Sequence, residues 1–163
     1  MKYIIEDYNI RAHKEIDTWI DEKKYKTAKL INKFALFNEP LSDFYKHILD
    51  NPNDLANIKS FIKVFKDSDN ILGVVVFHYY VDANIYYLGI NPLIVNPSLM
   101  NKRIGTNILK IIVKELKRIF NDKVDFIVAK IDETNHISIK LFEGLGFRIK
   151  EKDENFTKFI YQV

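Results

Sequence analysis

A mixed α/β fold of the α+β kind, a largely antiparallel sheet flanked by helices, follows from three observations on this 163-residue chain. The first third repeats apolar residues at helical spacing. The middle holds two long β-rich runs joined by a hairpin signature, and the last third alternates helix with strand, which demands parallel pairing inside the same sheet. The length suits one domain over 1–163, with a mostly helical region at 1–58 and a sheet region at 59–163. A content of 47% hydrophobic residues, with 12 Phe and 9 Tyr, is enough for its core.

Taken in order, Lys2–Tyr8 alternates weakly and reads as a first strand. Between Arg11 and Lys24, Ala12, Ile16, Trp19 and Ile20 recur at helical spacing, which predicts an amphipathic helix. A second helix is expected over Tyr25–Phe37 from Ala28, Ile31, Phe34 and Ala35. After the break at Pro40 a short helix carries Phe44 and Ile48 four apart, and "DNPND" stops it.

The runs "NIKSFIKVFK" and "ILGVVVFHYYV" are strands joined by "DSDN". "NIYYLGINPLIV" is a third strand with Pro92 near its end. A proline has no N–H for a ladder, so pairing must bulge or fail at Asn91-Pro92. An amphipathic helix follows within Asn96–Leu116, then "VDFIVAKI", a short continuous apolar strand of the buried parallel type. "NHISIKLFEGLGF" reads as a helix with Asn135 as N-cap, Ile137, Leu141 and Leu145 on one face, and Gly146 as the C′ residue. "FTKFIYQV" closes the sheet.

Composition removes several functions. The chain has no cysteine, which excludes disulfides, thiolate metal sites and a Cys nucleophile. Its four histidines show no metal-ligand spacing, so no metal is expected. Net charge is +3 without a Lys/Arg block, so a nucleic-acid partner is not expected. No apolar run approaches the ~20 residues of a membrane span and no signal sequence is evident, which predicts a protein of the cytoplasm with no membrane partner. The patterns GxxxxGK[ST], GxGxxG and GxSxG are absent, which disfavours nucleotide hydrolases, dinucleotide enzymes and serine hydrolases.

One stretch asks for an anion. In "NPSLMNKRIGTNIL" the cations Lys102 and Arg103 stand at a helix start, where the backbone is already positive and each cation costs roughly 0.3–1 kcal/mol. Two readings are open there: Gly105 allows close packing of helix on sheet and the two cations are solvated surface charges, or Gly105 lets a ligand approach the backbone beside them. A strand leading straight into a helix start aims free N–H groups at one point, and a phosphate bound there reverses the charge penalty.

"VNPSLMNKRIGTNIL" resembles the acetyl-CoA motif of the GNAT superfamily of acyl-CoA N-acyltransferases, V-x-P-x-x-[Q/R]-x-x-G-x-[G/A], at Val95, Pro97 and Gly105. "NHISIKLFEGLGF" resembles the family's second motif, N-x-x-[A/S]-x-x-L-Y-x-x-x-G-F, at Asn135, Ser138, Leu141, Gly146 and Phe147. Both stand in the family's order and spacing within residues 70–162. The resemblance implies a parallel pair splayed near the middle of the sheet, at the disturbed pairing expected from Pro92. It also implies acetyl-CoA as co-substrate, with no metal, bound by the backbone of Leu93 and Val95, by Met100, Asn101, Lys102, Arg103, Gly105 and Thr106, and by Asn135, Ser138 and Phe142.

Four positions depart from the family pattern. Met100 replaces Gln or Arg, and Arg103 replaces the first Gly of the motif; neither removes a backbone N–H. Phe142 stands where the family often has a Tyr that protonates the leaving thiolate. Gly89 stands where it often has a Glu base. Candidate bases are Glu39, Asn91 and Asp82, while the aromatic run His78, Tyr79, Tyr80, Tyr86 and Tyr87 reads as core and sheet surface more than as a substrate groove.

The function implied by the resemblance is N-acetyl transfer from acetyl-CoA to a primary amine of a small molecule or peptide, by direct attack in a ternary complex. The alternative is an acyl-CoA-binding sensor of the same fold with weakened catalysis. The resemblance further implies that residues 1–58 face the amine substrate, and that the protein is a monomer or homodimer.

Overall fold

In a computed structural model, residues 3–19, 40–50 and 57–163 are described. The first strand, β1 (Ile4–Asp7), pairs antiparallel with β2 (Ile58–Lys66), and β2 with β3 (Ile71–Asp82). The β2–β3 turn forms because the Asp67 carboxylate accepts the amides of Asp69 and Asn70 at 2.8 and 2.7 Å. A two-residue turn at Ala83 and Asn84, both at positive φ, leads into β4 (Ile85–Val95); that left-handed pair matches the twist of a hairpin.

Beyond β4 come helix α2 (Ile104–Lys114), β5 (Phe126–Asp132), helix α3 (His136–Gly144), β6 (Arg148–Lys152) and β7 (Phe156–Gln162), while α1 (Leu41–Asp50) precedes β2. The sheet order is β1-β2-β3-β4-β5-β7-β6. Every neighbouring pair is antiparallel except β4–β5. This is the expected mixed sheet, with its parallel pair near the middle.

Strand alternation divides the core between the two faces. On one, Phe77, Leu88, Ile127 and Phe159 pack under Ile104, Ile108 and Ile112 of α2 and Phe142 of α3. On the other, Val64, Val74, Val76 and Ile94 pack against Ile16, Trp19 and Leu41, with Phe44 and Ile48 of α1 alongside. No described helix is long and apolar enough to cross a membrane.

Three expectations are corrected. As far as Trp19, the segment from Arg11 forms a turn and a 3-10 helix at Lys14–Thr18 instead of an α-helix. Asn9 competes for the backbone, its side-chain oxygen accepting the amides of Arg11 and Ala12 at 2.9 and 3.0 Å. The rest of that helix and the one expected over Tyr25–Phe37 lie outside the described residues. In α3, Leu141 and Leu145 pack on the core as expected, but Ile137 is 71% exposed, and Ile139 and Phe142 complete the packed face. Strand β6, "RIKEK", has no counterpart in the sequence reading because all five residues are exposed and it has no apolar alternation.

Candidate functional site

The bulge expected at Asn91-Pro92 is present. Val75 pairs with Leu93 and Phe77 with Ile90, so two residues of β4 face Val76 alone. On its other edge, β4 pairs with β5 only over Tyr87–Ile90, against Phe126–Ala129. Beyond Ile90 and Ala129 the two strands part.

The gap is lined by main chain. Asn96 donates its amide to the Leu72 carbonyl of β3 at 2.9 Å, and main-chain groups alternate sides along a strand. Ile94 therefore turns its N–H and C=O toward β3, and Leu93 and Val95 turn theirs toward the gap. Their side chains point elsewhere: a Cβ placed on Gly105 would lie 3.3 Å from Val95 and 3.9 Å from Leu93. Of the two readings of Gly105, close packing of α2 on β4 is the one that this geometry supports.

Helix α2 begins where β4 ends. Asn96 caps the intervening 3-10 turn (Pro97–Leu99) by accepting the Ser98 amide at 3.0 Å, and its own side-chain amide donates to the Ile71 carbonyl at 2.7 Å. Asn101 and Arg103 both have positive φ, 65° and 59°, alternating-sign backbone of the kind that makes an anion-binding concavity. Arg103 is the N-cap of α2 and makes no side-chain capping bond. The first-turn amides thus lack the usual Ser, Asp or Asn oxygen, while Lys102 and Arg103 are exposed beside them. Met100 and Thr106 are half-buried at the two ends of this loop.

Helix α3 starts in the same way beyond the end of β5. Its N-terminus is capped, since the buried Asn135 accepts the Ser138 amide at 3.2 Å. Two helices therefore start off the carboxyl ends of the only parallel pair among the described strands, the crevice where open α/β sheets bind ligands. Phe142 is buried against Phe147 and Phe159, at ring separations of 4.8 and 5.9 Å. It carries no ionisable hydrogen.

On the opposite face of the sheet, over the point where the strands part, lies a cavity of about 430 Å³. Gly89 and Asn91 of β4 line it, with Tyr80, Val128 and Phe156 around them. His78, directly opposite Gly89 in the β3–β4 register, stands on its wall. Its Nε2 is 3.1 Å from the Asn91 carbonyl oxygen and its Nδ1 is 2.8 Å from the Ser60 hydroxyl. A carbonyl only accepts, so Nε2 carries the proton and Nδ1 accepts from Ser60. Burial pushes the His78 pKa down, against the opposing pull of the Asn91 carbonyl, so the imidazole is neutral at pH 7.

Of the candidate bases, Asn91 lies on the cavity and Glu39 lies outside the described residues. Asp82 is at the far end of the β3–β4 hairpin, paired with Ile85. His78, expected with its aromatic run in the core or on the sheet surface and not as a base, lines the cavity with Tyr80. Alternation sends Tyr79 to stack near Tyr86 and Phe120 on the helix face, and sends His78 and Tyr80 to the cavity. Only the pairing register reveals that His78 faces a glycine.

A family model described as acetyltransferase (GNAT) family matches residues 19–147. A search of curated proteins gives no match. Among solved structures, the fold is similar to the NatC complex bound to Gag peptide and CoA, at 17% identity and TM-score 0.63 over 100% of this chain and 99% of that one. It is also similar to the Campylobacter jejuni N-acetyltransferase PseH, at 16% identity and TM-score 0.62 over 98% and 97% of the two chains. Mutant forms of the Vibrio cholerae spermidine/spermine N-acetyltransferase SpeG match at 12% identity and TM-score 0.66 over 99% and 95%. The family model covers most of the chain, both motifs fall on the two helix starts that flank a forked parallel pair, and the chain belongs to the GNAT family of acetyltransferases.

Proposed function

We propose that this protein transfers an acetyl group from acetyl-CoA to the primary amine of a small molecule or peptide, by direct attack while both are bound. The observation that carries this reading is the fork beyond Ile90 and Ala129, with the main chain of Leu93 and Val95 turned into it and the uncapped start of α2 at its end. The site suits the co-substrate: a strand edge without a partner takes an amide-rich arm, and free helix amides with Lys102 and Arg103 take a pyrophosphate. Acetyl-CoA, when bound, supplies the activated acetyl group on a thioester. In this reading Met100–Thr106 hold the phosphates, Leu93 and Val95 align the arm, and Asn135, Ser138 and Phe142 form the opposite lip.

The amine arrives from the cavity face, with residues 1–58 contributing to that side and 59–163 forming the core. Holding the amine against the carbonyl supplies ~7–11 kcal/mol in favourable cases, and one amide donor to the developing oxyanion about 3 kcal/mol. Attack needs a neutral amine. With glycine at position 89 there is no carboxylate on that strand to take its proton, so the proton leaves through water, and the one lone pair of neutral His78, on Nδ1, is reached only through the Ser60 hydroxyl. Phe142 donates no proton, so the thiolate leaves to water. A thiolate tolerates this.

Acetyl-CoA at a hundred times its dissociation constant should stabilise the fold by ~2.7 kcal/mol, a clear rise in Tm. Absence of a rise with acetyl-CoA, other acyl-CoAs and CoA overturns the reading. Thiol release across polyamines, aminoglycosides, amino acids and peptide N-termini then separates an enzyme from an acyl-CoA sensor that binds and does not turn over. The specific ground for the sensor reading is the pairing of Gly89 with Phe142, which leaves two family positions without ionisable groups.

A further inference from the structure

The cavity wall carries a charge arrangement that the acetyl-transfer reading does not use. Lys130 of β5 is paired directly with Lys158 of β7, and Lys158 in turn with Glu151 of β6. All three line the cavity. Like charges opposite one another on a sheet are unfavourable, and nothing in the fold requires two lysines there.

Neither lysine makes an ion pair among the described residues. The Lys130 ammonium lies 4.4 Å from the centre of the Phe156 ring, which holds it over the cavity without neutralising it. Lys158 is half-buried, and Glu151 forms no ion pair with it although the two are in register. The other carboxylate on the wall, Asp153, accepts the amides of Asn155 and Phe156 in the β6–β7 turn, both at 2.8 Å, and these bonds, with a smaller pull from the Lys130 charge, hold its pKa down; it forms no ion pair with either lysine. A third cation on this face, Lys150, stands over the Tyr87 ring at 5.4 Å.

Position gives the pair a meaning. Lys130 is the first residue of β5 after Ala129, where β4 and β5 part, and so it stands next to the point where the amine must attack. Lys158 is one strand further out, about 4.8 Å. A ligand with its amine at Asn91 thus meets two ammonium groups within the next roughly 5–10 Å, judged from strand spacing.

We propose that the acceptor is an amine bearing an anionic group, carboxylate or phosphate, held by Lys130 and Lys158, and that these lysines turn polycationic amines away. The inference rests on the acetyl-transfer reading and names the acceptor class for it. With the anion bound, the unfavourable Lys130–Lys158 pair becomes a two-point clamp, and Glu151 at the outer end tolerates a second positive group. The volume, about 430 Å³, suits a small molecule or the end of a peptide.

The test is calorimetry with 4-aminobutyrate, its primary amide, 3-aminopropylphosphonate and spermidine, on protein saturated with CoA and on protein without it. The expected result is that at least one of the two anionic amines binds about tenfold or more tighter than the amide, and that whichever binds better identifies carboxylate or phosphate as the group. In Lys130→Met and Lys158→Met that advantage falls to about threefold or less while the amide binds as before, and Lys158→Arg retains it. Thermal unfolding confirms that the variants are folded. Equal binding of the amide, tighter binding of spermidine, or an anion preference that survives Lys130→Met with Lys158→Met overturns the proposal. If CoA fails to bind, the acetyl-transfer reading fails separately, and the lysine dependence is still read on the protein without CoA.

Discussion

His78 and Asn91 are joined across the β3–β4 pair by one hydrogen bond, from the imidazole Nε2 to the carbonyl oxygen at 3.1 Å. That bond fixes the tautomer of the ring and, at the same time, the backbone of β4 at its bulge. One side chain therefore ties the bulge of β4 to β3 and places a neutral ring on the cavity wall.

Replacing His78 with Leu removes the donor to Asn91 and the acceptor of the Ser60 hydroxyl together. Turnover is expected to fall about a hundredfold, with affinity for acetyl-CoA changed less than threefold. Ser60→Ala keeps the Asn91 bond and removes only the hydroxyl on Nδ1, so comparing the two by kcat and KM separates the proton route from the positioning role.

Burial lowers the pKa of His78 in the fold, so the unfolded chain takes up the proton first as pH falls. The sign follows: the fold loses stability as pH drops below about 6.5, the ordinary histidine value, and through the lower folded value. Denaturant midpoints measured from pH 7.5 to 5 should decline in the native protein and decline less in His78→Leu.

Gly73 sits where a Cβ would lie 2.7 Å from the Ile108 side chain and 2.9 Å from the Ile94 carbonyl. The second neighbour is backbone and cannot swing away. Gly73→Ala is expected to cost about 1–3 kcal/mol by overpacking, seen as a lower denaturant midpoint at unchanged slope.

Arg103 holds a left-handed conformation at φ 59° with an exposed side chain. Glycine relieves about 1–2 kcal/mol of that strain and returns part of it as chain entropy, for a net gain of about 0.5–1 kcal/mol. Arg103→Gly should therefore raise the Tm of the free protein while weakening CoA binding severalfold. Unchanged binding would make the charge incidental.

Phe142 is 5% exposed and edge-on to Phe147. Phe142→Ala should cost about 3–5 kcal/mol, measured by denaturant unfolding.

Periodicity made much of this architecture readable. The β2–β3 hairpin, the bulge at Asn91-Pro92 and the capped start of α3 at Asn135 each rest on local chemistry that one segment contains. What was not readable depends on partners distant in sequence. The row Lys130, Lys158 and Glu151 exists only because β7 lies between β5 and β6, and β6 carries no apolar pattern to announce itself. His78 gains its role from Gly89, eleven positions on, through a register that neither segment reveals alone. Near the N-terminus, helical spacing from Arg11 was overridden as far as Trp19 by one asparagine side chain that captured two amides.

The short parallel seam has a mechanical consequence. Strands β1–β4 form one leaf and β5, β7 and β6 another, and their ladder contact is the four register pairs from Tyr87 to Ile90. Asp125 is the rivet at the closed end, its carboxylate accepting the Tyr86 amide at 3.0 Å while its own amide donates to the Tyr86 carbonyl at 2.8 Å. The leaves are thus stapled at one end and free at the other, like a book bound along only part of its spine. A molecule sliding into the open end completes the binding that the polypeptide leaves undone.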